Sequence, residues 1–201
     1  MAPGSAAGTG SAATRHADVL RPDPSPVPCG RCQSLRALNP TIYKGWVTIA
    51  IDLPDEAATA ALAARIATWA RAGDVIALRG DLGAGKTSFA RAFIRASGTT
   101  EEEVPSPTFT FVQIYEPRGV RIWHFDLYRL GQVEEAWELG IEEAFAEGIS
   151  LIEWPERLGA LLPPGRLQIT FAFGERPQAR RAVCDGGPEW QARLAAVADH
   201  V

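Results

Sequence analysis

The chain changes character near residue 45. Before it, apolar residues are scattered among Ala, Gly, Ser and Pro without a period; after it, short apolar runs alternate with segments whose apolar residues recur every three or four positions. VTIAIDL, from Val47, is a β-branched run that predicts a strand. PDEAATAALAARIATWARAG predicts a helix starting at Pro54 or Asp55, with Gly73 just past its end. DVIALRG reads as a buried strand and KTSFARAFIRASG as a helix that stops at Gly98.

Farther along, TFTFVQIYEPRGVRIWHFDLYRL holds two extended runs around Pro117, Arg118 and Gly119, which predicts an antiparallel hairpin. VEEAWELGIEEAFAEG predicts a helix, ISLIEW a strand ending at Glu153, and PERLGALLP a short helix with Pro155 in its first turn. GRLQITFAFG and RRAVCDG predict two last strands before a C-terminal helix from about Pro188. Strands alternating with helices point to an α/β fold. With the loop described below, the expectation is a P-loop NTPase-like three-layer sandwich, its mixed, mainly parallel sheet containing an antiparallel hairpin.

Composition divides the chain at the same place. Residues 1–44 carry five basic and two acidic side chains, leaving fifteen basic and twenty-two acidic in residues 45–201. The first segment is expected to be a disordered or incorrectly assigned N-terminal extension, and residues 45–201 the functional domain. An acidic domain with no clustered basic face does not grip RNA or DNA directly. No run approaches the length of a membrane span, and the N-terminus lacks the apolar stretch of a secretory signal, so a soluble cytoplasmic protein is expected. Three cysteines, Cys29, Cys32 and Cys184, make no disulfide framework. The C-x-x-C pair at Cys29 and Cys32 lies in a Pro/Gly-rich stretch without a second pair, which gives it little standing as a metal or redox site.

Between the second strand and its helix lies GDLGAGKT, Gly80–Thr87, a match to G-x-x-x-x-G-K-[ST]. A chain of this composition is expected to hold roughly 0.002 such matches by chance, so the match is read as a phosphate loop. Glycines let backbone amides approach phosphate oxygens, and the helix N-terminus adds its dipole. Lys86 places a compact charge on the β/γ-phosphates, and the Thr87 hydroxyl can ligate Mg²⁺. Asp126 and Glu153 each end an apolar strand, where α/β sheets put their ligand sites, and would complete the magnesium environment. In SPTF, Ser106–Phe109, Thr108 reads either as part of a plain turn or as a switch approaching the γ-phosphate or the metal. His124 shares the face of Asp126 by strand alternation, and a packed structural histidine fits as well.

GDLGAGKT, SPTF, HFDLYRL and EWPE, in this order and spacing, resemble the TsaE (YjeE) family of bacterial ATPases over Leu53 to about Val183. The resemblance implies an accessory protein that binds ATP or ADP with Mg²⁺. It would support threonylcarbamoyl modification of the adenosine next to the anticodon in tRNAs reading ANN codons. The implied partners are the TsaB and TsaD proteins, with tRNA met only through their complex and no membrane involved. Hydrolysis is expected to be weak alone and stimulated by that pair.

Carried onto this chain, the likeness implies Lys86, Thr108, Asp126 and Glu153 as catalytic residues and Thr87, Asp126 and Glu153 at the metal. The nucleotide would contact Asp81, Leu82, Gly83, Ala84 and Gly85 of the loop, then Lys86, Thr87 and Ser88, with Asp126 and Trp154. Leu53 and Glu56, from LPDE, would lie beside the nucleoside. Tyr128 and Arg129 are candidates for facing the partners, and roles for Arg176 and Arg181 stay open. So do two other readings of the loop: a small-molecule kinase, and a nucleotide-binding scaffold without turnover. A guanine-specific switch is excluded, since N-K-x-D cannot be formed when no lysine follows Lys86.

Overall fold

Apolar runs pair into one sheet in the computed structural model, which describes residues 36–37, 41–43, 45–99 and 103–198. In chain order the strands are β1 (Arg36–Ala37), β2 (Thr41–Tyr43), β3 (Trp46–Leu53), β4 (Val75–Arg79), β5 (Val112–Tyr115), β6 (Ile122–Asp126), β7 (Ile149–Glu153), β8 (Leu167–Phe173) and β9 (Arg180–Gly186). The helices are α1 (Glu56–Trp69), α2 (Lys86–Ala96), α3 (Glu135–Glu138), α4 (Ile141–Glu147) and α5 (Pro188–Ala198). Sheet order is β1-β3-β9-β8-β4-β7-β6-β5, with β2 also on β3.

The centre of the sheet is parallel. β8, β4, β7 and β6 run the same way, while β5 and β9 pair antiparallel to their neighbours. β3, antiparallel to β9, rejoins the majority direction, so five of the seven longer strands point one way. The result is the mixed, mainly parallel sheet with a hairpin that the sequence predicts.

Alternation along the central strands feeds two cores. Ile76 and Leu78 of β4 and Leu151 of β7 pack with Leu62 and Ile66 of α1, Phe89 and Phe93 of α2, and Trp190 of α5. Val75 and Ile152, on the other face, pack with Trp123 and Phe125 of β6, Ile141 of α4 and Leu158. Helical layers on both faces of the sheet are the three-layer sandwich.

Most boundaries follow local chemistry. Asp55 caps α1 by accepting from the Ala58 amide at 2.8 Å. The helix ends at Trp69, and Gly73 comes later, at φ 87° in the turn into β4. Three segments differ from the sequence pattern. Thr108–Phe111 is not strand: Thr110 and Phe111 both donate to the Pro107 carbonyl, at 3.1 and 2.7 Å, and Phe111 takes φ 62°. The predicted helix over 133–148 breaks at Gly140, φ 78°, into α3 and α4. The segment after Pro155 is a 3-10 helix, Pro155–Leu161.

Arg36–Ala37 and Thr41–Tyr43, within the stretch assigned by composition to an extension, form short strands on β3. Cys29, Cys32 and the question of an incorrectly assigned start lie outside the described residues. No helix among the described residues is long and apolar enough to cross a membrane.

Candidate functional site

β4 delivers the chain into the loop at Gly80, where a side chain would have no room. A Cβ there would stand 2.4 Å from the Phe171 carbonyl oxygen, and the backbone is at φ 130°. Gly83 and Gly85 also take positive φ, 77° and 110°, and Gly85 is the N-cap of α2 in the left-handed region. The loop therefore turns directly onto a helix N-terminus, with the backbone amides of residues 85–88 at its mouth.

Lys86 is 4% exposed. Its Nζ donates to the carbonyls of Gly80 and Asp81, at 2.7 and 2.9 Å, and sits 3.9 Å from the centre of the Trp154 ring. Burial pulls its pKa below the ordinary value, while the nearby carboxylates of Glu153, Asp126, Glu156 and Asp81 pull the other way without cancelling it. A partly desolvated ammonium held by two carbonyls and a ring face is a cation still short of anionic partners.

The carboxylates stand at the tips of adjacent parallel strands, Asp126 of β6 in register with Glu153 of β7. Glu153 is nearly inaccessible and divided between two partners: Oε2 accepts from Thr87 Oγ1 at 2.8 Å, and Oε1 meets His124 Nε2 at 2.9 Å. Facing a carboxylate, His124 Nε2 carries the proton; Nδ1 has no partner among the described residues. Asp126 Oδ2 accepts from Thr108 Oγ1 at 2.7 Å, and Oδ1 from the Tyr128 amide at 3.1 Å. Because the Thr108 hydroxyl donates to Asp126, the Ser106 hydroxyl at 2.9 Å is the donor to Thr108. The turn at 107–111 thus brings Thr108 onto Asp126, and the Asp126 amide donates to the Phe111 carbonyl at 2.9 Å.

These groups border a cleft of about 180 Å³. Leu82, Gly83, Gly85, Lys86, Thr87 and Ser88 form its loop side; Thr108, Asp126, Glu153 and Trp154 form the other, with Tyr128. Trp154, at φ 59°, turns its ring between Lys86 and the Tyr128 ring, 4.9 Å away. Asp81 and Ala84 take part through backbone, the Ala84 amide donating to the Asp81 carbonyl at 3.1 Å.

Two expected nucleoside neighbours stand apart from this cleft. Leu53 is fully buried in the core, and Glu56 borders a separate hollow of about 390 Å³ between α1 and α2, with Ser88, Arg91 and Arg95. Ser88 borders both. Neither Arg176 nor Arg181 bonds to the loop; the arginine that does is Arg180, whose Nη2 donates to the Gly83 carbonyl at 3.1 Å. No motif marks Arg180.

Among the described residues, no group of three or more His, Cys, Asp or Glu could hold a metal unaided. The cleft instead sets the Thr87 hydroxyl beside two carboxylates, all hard oxygen donors. That set fits Mg²⁺, which is commonly bound through one or two carboxylates while phosphate and water supply its other ligands.

A family model described as "Threonylcarbamoyl adenosine biosynthesis protein TsaE" matches residues 53–182. The chain is similar to the tRNA threonylcarbamoyladenosine biosynthesis protein TsaE of Rickettsia felis, 41% identical over 119 residues, covering 59% of this chain and 70% of that protein. It is similar to the protein of the same name from Bacillus subtilis, 42% identical over 119 residues, with 59% and 72% covered. Among solved structures it resembles Bacillus subtilis YdiB at a TM-score of 0.64 and 27% identity, over 83% of this chain and 97% of that one. The likeness bears out the P-loop NTPase-like α/β fold.

Proposed function

The chain belongs to the TsaE family of threonylcarbamoyl adenosine biosynthesis proteins, and from that premise we propose that it is a magnesium-dependent ATPase serving the TsaB/TsaD complex. Its place would be the cytoplasm, and tRNA would be met only through that complex. The observation that carries the reading is the 2.8 Å bond between Thr87 and Glu153, at the mouth of a phosphate loop whose lysine faces the same cleft. Hydroxyl, carboxylate and ammonium converge where a nucleotide's terminal phosphates meet a helix N-terminus.

Each side chain then has a task. Lys86 would hold the β/γ-phosphates, and Thr87, Glu153 and Asp126 would hold the magnesium. When bound, that ion neutralises charge developing on the phosphate oxygens. His124 keeps Glu153 from turning away, and Thr108 ties the 107–111 turn to Asp126, so the turn can respond to what occupies the cleft.

A weak intrinsic rate follows from charge. Among the described residues that border the cleft, Lys86 is the one cationic side chain. Phosphoryl transfer relies on positioning and positive charge, and one further cationic group in such sites is worth about 10³–10⁵ in rate. A partner protein supplying that group would stimulate turnover.

Phosphate release from Mg²⁺-ATP by the purified chain tests the site. Lys86→Ala is expected to lose nucleotide binding and turnover; Asp126→Ala and Glu153→Ala are expected to bind ATP but lose at least about tenfold of the Mg²⁺-dependent rate. Equal rates in all variants and wild type would discard the site.

A further inference from the structure

Arg180 opens β9, level with Leu53 of β3 on one side and Phe173 of β8 on the other. Its guanidinium leaves that hairpin and reaches the phosphate loop. Nη2 donates to the Gly83 carbonyl at 3.1 Å, Nη1 donates to the carbonyls of Pro177 and Ala179 at 2.7 and 2.8 Å, and the group lies 4.8 Å from the Phe173 ring centre. Its stem runs 3.9 Å from where a Cβ on Gly85 would stand.

The peptide it holds joins Gly83, which has no side chain, to Ala84, which is fully buried in the core. Gly83 takes φ 77°, and a Cβ built there would meet nothing within 4 Å, so the glycine end of this peptide borders open space. The Gly83–Ala84 peptide is instead gripped at both ends: its carbonyl by Arg180, its N–H by the Asp81 carbonyl at 3.1 Å. Rotating that peptide would give up a charge-assisted bond. The planar guanidinium suits this task, since it can serve three carbonyls at once while losing little freedom per bond.

We propose that Arg180 is a positioning residue for the nucleotide: it pins the Gly83–Ala84 peptide so that the loop holds its anion-binding shape before a nucleotide arrives. The proposal rests on the reading of the loop as a nucleotide site. Such preorganisation lowers the ordering cost of binding and leaves the chemistry of the bound complex alone. The effect therefore falls on KM and Kd rather than on kcat.

The test compares the full-length wild type with Arg180→Ala and Arg180→Lys by amide hydrogen exchange of nucleotide-free protein over residues 80–85, and by titration and turnover with Mg²⁺-ATP. Arg180→Ala is expected to exchange these amides several-fold faster, to raise Kd and KM about tenfold and to keep kcat within about twofold. Arg180→Lys, with one cationic donor left, is expected to recover part of the protection; should the alanine variant not fold, the lysine variant carries the comparison. Loop exchange at the wild-type rate in both variants overturns the proposal. So does a loosened loop with unchanged Kd. If wild type itself binds no ATP, the nucleotide reading fails, and faster loop exchange in the variants still supports the clamp on Gly83.

Discussion

Lys86 shows the tension between a residue's use and its cost. Its ammonium is buried to 4% exposure beside two carbonyls, and its pKa is lowered because burial outweighs the nearby carboxylates. At a pH below the lowered native pKa, both folded and unfolded chains hold the proton and the native state bears the full desolvation penalty. As pH rises between the lowered value and the ordinary 10.5, the unfolded chain binds more protons and stability increases. Wild-type stability is therefore expected to rise over that pH range, and Lys86→Met, which has no such proton to release, is expected to lack the rise. Thermal unfolding of both proteins at several pH values checks this; the same pH dependence in wild type and variant would contradict it. Lys86 was legible from the G-x-x-x-x-G-K-[ST] motif, and the two carboxylates from their place in the pattern. Asp126 and Glu153 end apolar runs, and strand ends of a parallel sheet converge at one edge. His124 does share the face of Asp126, yet its partner is Glu153, which stands level with Asp126 on the neighbouring parallel strand and is reached diagonally. Arg180 left no signal, since its role is set by a side chain crossing from hairpin to loop.

At the scale of elements, what the sequence carried well was anything with a period or a cap. α1, α2 and the four parallel strands fall where apolar spacing puts them, because each has a face that must be buried. The period misled at TFTF. Alternating Thr and Phe imitates a strand, but Phe109 is 83% exposed and Pro107 draws the following amides back into a turn. A local turn that places Thr108 on Asp126 overrides the pattern. Gly140 similarly divides one apparent helix into two. The junction of β4 with the phosphate loop depends on backbone contact rather than on pattern. At Gly80 a methyl group would collide with the Phe171 carbonyl of β8, itself part of the sheet, so neither side has a flexible end to move. Gly80→Ala is expected to cost roughly 2–4 kcal/mol of stability, measured by chemical denaturation. A loss under about 0.5 kcal/mol would show that the loop can shift away from β8.

For the whole molecule, the sheet gathers its chemistry at one edge, where β4, β6 and β7 end at the loop, at Asp126 and at Glu153. Composition had set the domain boundary near residue 45, but β1 and β2 fall before it; strands of two and three residues are too short to show a period. Among the described residues that border the cleft, Lys86 is the one cationic side chain, and the proposed phosphoryl transfer calls for several positive groups, so the proposal joins a slow enzyme to a stimulating partner. The most direct test measures phosphate release from Mg²⁺-ATP by this chain, alone and with purified TsaB and TsaD. The expected result is slow release alone and at least about tenfold faster release with both partners, lost in Lys86→Ala. A rate unchanged by the partners, or stimulation that persists in Lys86→Ala, would contradict the account.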